Sequence, residues 1–326
     1  MHPPFSVIFL TTLIGAGQGL FLALFALEAA ATFGLLPGVP AAFLAVGSFL
    51  ALLLLVGGLA ASFFHLGRPE RAWRAATQWR TSWLAREVIA LPTFMGALAV
   101  YGLAHATGAN PALGHLAGGA PLPLTVLIGI VTVLLALVLF VCTAMIYASL
   151  RFLREWHSPL TVLNFILLGS ASGFTLAAAL AAVMHPERSA LLAAAAAVLT
   201  IAALTGRSAA LARNARLKPK STLQTALGIK HPRIVQMTQG AMGGSFNTRE
   251  YFHGKTVAFV RQIRWIFLAA AFIVPAALLA PASLGHGGAA LLALAFAIQY
   301  AGLLAERWFF FAQANHPQNL YYQCVA

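Results

Sequence analysis

The sequence predicts an all-α polytopic membrane protein, a bundle of eight transmembrane helices, and three observations carry that prediction. Of the 326 residues 60% are hydrophobic and only 8% are charged, a balance outside the range of water-soluble globular domains. Eight stretches each supply the roughly 20 apolar residues that a helix needs to cross the hydrocarbon core. Lys and Arg gather in alternate loops, the mark of a chain that crosses a membrane repeatedly. The whole of 1–326 therefore reads as one integral membrane domain.

The first span, about Val7 to Phe33, contains GAGQG, whose small residues let another helix approach closely. Gln18 reads as interhelical glue, and Glu28 is either a buried, paired acid or one that reaches the interface. The second span is about Ala41 to His65 and the third about Trp83 to Ala106, with Pro92 as a kink satisfied by neighbouring helices. A loop rich in Gly, Pro and Ala, Thr107 to Leu122, carries no charge. The fourth span, about Leu124 to Leu150, ends at Arg151, Arg154 and Glu155. The fifth runs from about Leu160 to Met184, and an HPER turn leads into the sixth, about Ala190 to Leu211, whose many alanines predict helix packing.

The longest polar segment, about Arg213 to Gln262, follows. Ser221 is placed to cap a short helix, and GAMGG reads as a turn. That run lacks the Lys and Ser/Thr ending of a phosphate loop and follows no predicted strand, so nucleotide binding is set aside. Lys218, Lys220, Arg233 and Arg249 instead suit a docking surface for a partner protein or a contact with anionic lipid. The seventh span is about Trp265 to Pro281, its start open to being drawn back into the basic stretch. The eighth, about Ala289 to Phe311, ends in AERWFFFAQANHPQNLYYQ, where Glu306 and Arg307 enter the membrane edge and join the docking set.

Eight spans put both termini on one side with the loops after spans two, four and six. Of the 20 Lys and Arg residues only Arg188 falls on the other side, leaving 20 − 1 = 19 on the first. By the positive-inside rule that first side is cytoplasmic, in an inner (plasma) membrane. The net charge of +13 thus reflects topology rather than nucleic-acid binding. The start, MHPPFSVIF, has neither a basic leader region nor a cleavage site, and reads as the first span rather than a removed signal.

The stretch that organises the rest is Phe63 to Glu87, FFHLGRPERAWRAATQWRTSWLARE. It brackets His65, at the end of span two, and Glu87, in the first turns of span three, so both belong to one membrane face and similar depth. Ionisable residues at that depth mark function. Pro69 can open a helix, in which Trp73, Ala76, Trp79 and Trp83 take one side while Arg71, Arg74, Gln78 and Thr81 take the other. That is an interfacial amphipathic helix, Trp inward, with Arg74 and Arg80 toward headgroups or a partner. A plain aromatic belt with basic anchors is the competing reading.

The chemistry fits a quinone. Its reduction takes two electrons and two protons and needs a proton-transfer group within reach of a carbonyl oxygen. Histidine serves near neutral pH. Glu87 can hold the imidazole or relay the proton, with Arg68, Arg71 and Arg86 tuning both, inside apolar and aromatic walls. Cys142 and Cys324 are too few to hold an iron–sulfur cluster. His65, His105 and His185 lie at span ends rather than at matched depth on neighbouring helices, although the last two share a face. The chain is expected to carry neither cluster nor haem, so a partner must supply the electrons. No HExxH, paired acids or nucleophile elbow supports hydrolysis. A small-solute transporter would need an inverted repeat, and HLGRPERAW has no counterpart in the second half.

HLGRPERAW, followed by WLAREV, resembles the membrane anchor subunit of dimethyl sulfoxide reductase and its relatives. MGGSFNTREYF and the AERWFFFAQANHPQNLYYQ ending are most similar to the anchor of the cytoplasmic sulfite dehydrogenase (sulfite:quinone oxidoreductase) in that family, and the likeness covers essentially the whole chain. The resemblance implies an eight-helix subunit without haem, bound to a ferredoxin-like iron–sulfur subunit and a molybdopterin catalytic subunit. It implies a quinone site close to the iron–sulfur subunit, with His65 as the histidine of HLG, Glu87 as the acid opening the third span, and Gly67 allowing the turn between them. Quinol oxidation by the reductase relatives, or quinone reduction by the sulfite enzyme, is left open by the anchor itself.

Overall fold

A computed structural model describes residues 5–115, 121–218, 222–235, 237 and 256–314. The helices are α1 (Phe5–Thr32), α2 (Ala41–Phe63), α3 (Trp83–Thr107), α4 (Leu124–Ala148), α5 (Pro159–Met184) and α6 (Ser189–Ala215). They continue with the short α7 (Leu223–Leu227), then α8 (Val257–Leu268), α9 (Val274–Ser283) and α10 (Ala289–Ala312). A π-helical turn, Ala269–Ile273, joins α8 to α9. Among the described residues eight helical rods are long and apolar enough to cross a membrane, with α8 to α9 as the seventh.

Contacts between helix ends define two faces. The start of α1, the ends of α4 and α10 and the start of α5 pack together through Ile8, Ala144, Phe165, Phe310 and Phe311. Trp156, in the α4–α5 turn, donates from Nε1 to the Phe310 carbonyl at 2.8 Å. This is the terminal face. At the opposite face Glu28, near the end of α1, meets Tyr101 of α3 and Thr125 at the start of α4.

The GAGQG motif acts as a contact surface. A Cβ on Gly19 would lie 2.1 Å from the Gly169 carbonyl oxygen, and one on Gly173 would lie 2.1 Å from the backbone of Gly19 and Leu20. Only glycine lets α1 and α5 approach this closely. Gln18 donates from Nε2 to the Ala136 carbonyl at 2.7 Å, a bond between helices.

The seventh rod begins eight residues before the expected Trp265, because Thr256 caps it by accepting from the Phe259 amide. Pro275 explains the π turn. Proline has no N–H to give the carbonyl four residues back, and the Val274 amide instead bonds Ala269. The Ala271 carbonyl faces Gln299 Nε2 at 3.5 Å. Helix α3 runs on through Pro92.

Two local expectations change. The uncharged loop after α3 contains a small antiparallel pair, β1 (Ala112–His115) and β2 (Pro121–Pro123). The expected cap Ser221 lies outside the described residues, and α7 is capped by Thr222 in a reciprocal box with Thr225.

Candidate functional site

The surface segment between α2 and α3 starts at His65, two residues past the end of α2. Pro69 does open a helix, but a 3-10 helix over Pro69–Gln78 with no buried residue. Trp73 and Trp79 are exposed, so the tryptophan face covers no protein core. Arg86 ties the segment down: it donates from Nε to the Trp79 carbonyl at 2.9 Å and from Nη2 to the Arg80 carbonyl at 2.8 Å. Its guanidinium lies 4.2 Å from the Trp83 ring centre, a cation–π contact. Ser82 caps α3 by accepting from the Ala85 amide at 3.3 Å.

Glu87 lies one turn into α3 and is buried, 7% exposed. Its Oε1 accepts from Thr143 Oγ1 of α4 at 2.5 Å. His65 makes no hydrogen bond or ion pair with it among the described residues. The imidazole is exposed at the end of α2, yet its neighbours desolvate it enough to push its pKa below the ordinary histidine value.

Beside Glu87 a cleft of about 600 Å³ opens between α3 and α4. Trp79, Trp83 and Arg86 form its mouth, and Ala90, Leu135 and Cys142 are among its walls. Glu87 is not itself a lining residue: its carboxylate turns inward to Thr143, one turn from Ala90 and beside Cys142. The size and apolar walls suit a flat ring with a hydrocarbon tail.

Of the other expected site residues, Arg68 and Arg71 are exposed and do not line the cleft. Arg71 lies 3.8 Å from Glu70, and Arg74 and Arg80 stack near Trp73 and Trp79. Gly67 has an ordinary backbone conformation, and a Cβ there would meet nothing within 4 Å, so the turn does not require glycine. Lys218 and Arg233 are exposed, while Lys220 and Arg249 lie outside the described residues.

Glu306 and Arg307, expected on the docking face, are instead inside the bundle at 0% and 4% exposure. Glu306 bridges two guanidinium groups: Arg207 Nε at 2.7 Å and Arg307 Nε at 2.9 Å. Burial is tolerable because each carboxylate oxygen of Glu306 faces its own cation and the rings of Phe165, Phe267 and Phe310 lie close to the cations.

At the opposite face Glu28 is the buried, paired acid. Tyr101 donates to it, Thr125 donates at 2.5 Å, and His105 Nε2 lies 3.2 Å away. His185 packs its ring near Phe43, so the two histidines of this face are engaged with different neighbours.

Sequence reasoning missed Thr143 and Arg207. Nothing local distinguishes Thr143. Arg207 was hidden by its alanine-rich helix, although a charge two turns inside a span is itself a signal.

Eight apolar rods, with a buried carboxylate beside a cleft open at the outer side of α3 and α4, define an integral helical subunit of the polytopic class. The chain belongs to the DMSO reductase anchor subunit (DmsC) family, whose pattern it matches over residues 1–313. It is similar to a sulfite dehydrogenase subunit of Allochromatium vinosum, 54% identical over 326 residues and the full length of both chains.

Proposed function

We propose that this chain anchors a molybdopterin oxidoreductase in the inner membrane and exchanges electrons between an iron–sulfur partner and the quinone pool. The supporting observation is Glu87: a buried carboxylate, hydrogen-bonded to Thr143, beside a membrane-facing cleft of about 600 Å³. The quinone ring enters between α3 and α4 below Trp79 and Trp83, with its tail left in lipid. Reduction consumes two electrons from the partner's clusters and two protons, one for each carbonyl oxygen. Glu87, rotating from Thr143 toward Ala90, gives a proton to one oxygen, and His65, on the same face and exposed to water, takes up a proton from solvent and gives it to the other. Arg86 holds the Trp79 and Trp83 mouth in place, and Arg68, Arg71 and Gly67 belong to the loop that covers it.

The terminal face is the cytoplasmic one, supported by the 19 to 1 division of basic residues. The iron–sulfur subunit docks there on Arg74, Arg80, Lys218 and Arg233 and on the basic segment 213–262, with Lys220 and Arg249 in the same set. The full-length likeness to a sulfite dehydrogenase subunit favours sulfite oxidation with quinone as acceptor over quinol-driven reduction.

The test is Glu87→Gln in the assembled complex. Sulfite-to-quinone turnover should fall by about 100-fold or more, while turnover with an artificial acceptor that takes electrons from the clusters persists. Undiminished quinone turnover would retire the site.

A further inference from the structure

Glu87 is 7% exposed, and its carboxylate is held by Thr143, which borders an internal void. On the reading of Glu87 as a proton donor to quinone, we propose that buried polar groups carry protons to it from the terminal face through two internal voids that share Arg307. The first void, about 20 Å³, is bordered by Thr143, Thr11, Thr12, Gln18, Ser172 and Arg307. The second, about 10 Å³, is bordered by Arg307, Glu306, Arg207 and Asn164, and reaches Glu155 and Arg213 at the surface. Each is about the size that holds one water.

The walls supply what such waters need. Arg207 Nη2, Arg307 Nη1 and Asn164 Oδ1 are fully buried without a protein hydrogen-bond partner, and buried polar groups rarely stay unsatisfied. Thr11 and Thr12 sit with their hydroxyls on helix carbonyls, and Thr12 also pairs with the Tyr300 hydroxyl at 3.1 Å, which leaves both lone pairs free on Thr11 and one on Thr12. A water that accepts from Arg307 points its own hydrogens away, toward these hydroxyls and Thr143. Thr143 already donates to Glu87 Oε1, so it completes the line as the last relay.

The charges agree. Arg207 and Arg307 against Glu306 leave an excess of one positive charge, which an ionised Glu87 cancels. The set is therefore neutral in the state that awaits a proton. In each cycle Glu87 gives its proton to a quinone oxygen as the ring takes electrons from the iron–sulfur partner. One proton then enters at Glu155 and Arg213, passes from the water of the second void directly to that of the first beside Arg307, and reprotonates Glu87 through the Thr143 hydroxyl. The guanidinium groups keep their protons throughout and only orient water.

The experiment uses the whole complex in membrane vesicles. Thr143→Val combined with Thr11→Val and Thr12→Val keeps side-chain shape and removes three hydroxyls. Sulfite-to-quinone turnover should drop by roughly tenfold or more, the solvent deuterium isotope effect should rise, and artificial-acceptor turnover should stay as in the parent. Quinone turnover and isotope effect both at parental values would overturn the route. If these variants fail to assemble, the parent complex decides: a map that resolves water must show density in both voids, and dry voids overturn the route. Loss with Glu87→Gln but not with the hydroxyl variants removes the route alone, whereas full quinone turnover in Glu87→Gln removes the quinone site itself.

Discussion

Tyr101 donates its phenolic proton to Glu28 across the helix interface at the face opposite Glu87, and Thr125 donates to the other carboxylate oxygen. Three helices, α1, α3 and α4, are thereby pinned at one buried acid. Removing one donor leaves a buried acceptor short of a partner, which costs about 1–3 kcal/mol. Tyr101→Phe and Thr125→Val should each lower the thermal unfolding midpoint of the detergent-solubilised protein. Their double variant should lose more than either alone. Midpoints equal to the parent's would show that this cluster does not hold the three helices together.

The Arg207–Glu306–Arg307 triad makes an ordered prediction. Glu306→Gln leaves two buried guanidinium groups without their counterion, and breaking a buried pair in this way costs about 3–5 kcal/mol. Arg207→Leu removes one cation but leaves Glu306 with Arg307 at 2.9 Å. The amount of folded protein in membranes should therefore fall further in Glu306→Gln than in Arg207→Leu. The reverse order would mean that Glu306 is not the hub.

The spans were legible because about 20 apolar residues in a row leave a chain few alternatives to crossing a membrane. The start of the seventh stays open in the sequence because Arg261 and Arg264 make its first turns look like loop, and Thr256 caps a helix that already includes them. Glu87 could be singled out as an ionisable residue inside a span. Its partner could not, since a threonine in an apolar helix usually bonds its own backbone, as Thr132, Thr175 and Thr200 do here. Only the packing of α3 on α4 makes Thr143 different. Glu306 and Arg307 sit where a charged helix end would normally meet water, and their burial depends on Arg207, a residue some 100 positions earlier.

His65 gives a pH prediction whose sign is fixed by desolvation. Its pKa lies below the ordinary value of 6.5, so the protonated ring that gives a proton to quinone is lost at lower pH than in a free histidine. Quinone-coupled turnover should fall as pH rises through a midpoint below 6.5, and His65→Gln should flatten that limb. The stability contribution runs the opposite way: it is full above the unfolded value and is lost as pH falls through the folded one. An unchanged limb in His65→Gln would take His65 out of proton transfer.

Glycine at two positions separates packing from turn chemistry. At Gly173 an added methyl would sit 2.1 Å from the backbone of α1, and backbone cannot swing aside as a side chain can. Gly173→Ala must push α1 from α5, disturbing the Gly19 and Gly169 contact and the void beside Ser172 with it. Overpacking of this kind costs roughly 1–3 kcal/mol or more. Gly67→Ala meets nothing within 4 Å and needs no unusual backbone angle, so it should leave the unfolding midpoint and membrane levels at parental values. Comparing the two by thermal unfolding in detergent tests the close approach of α1 and α5 directly: equal midpoints would mean that the helices stand farther apart than described, while a lowered midpoint in Gly67→Ala would mean that the loop before the surface helix is packed against more than its own chain.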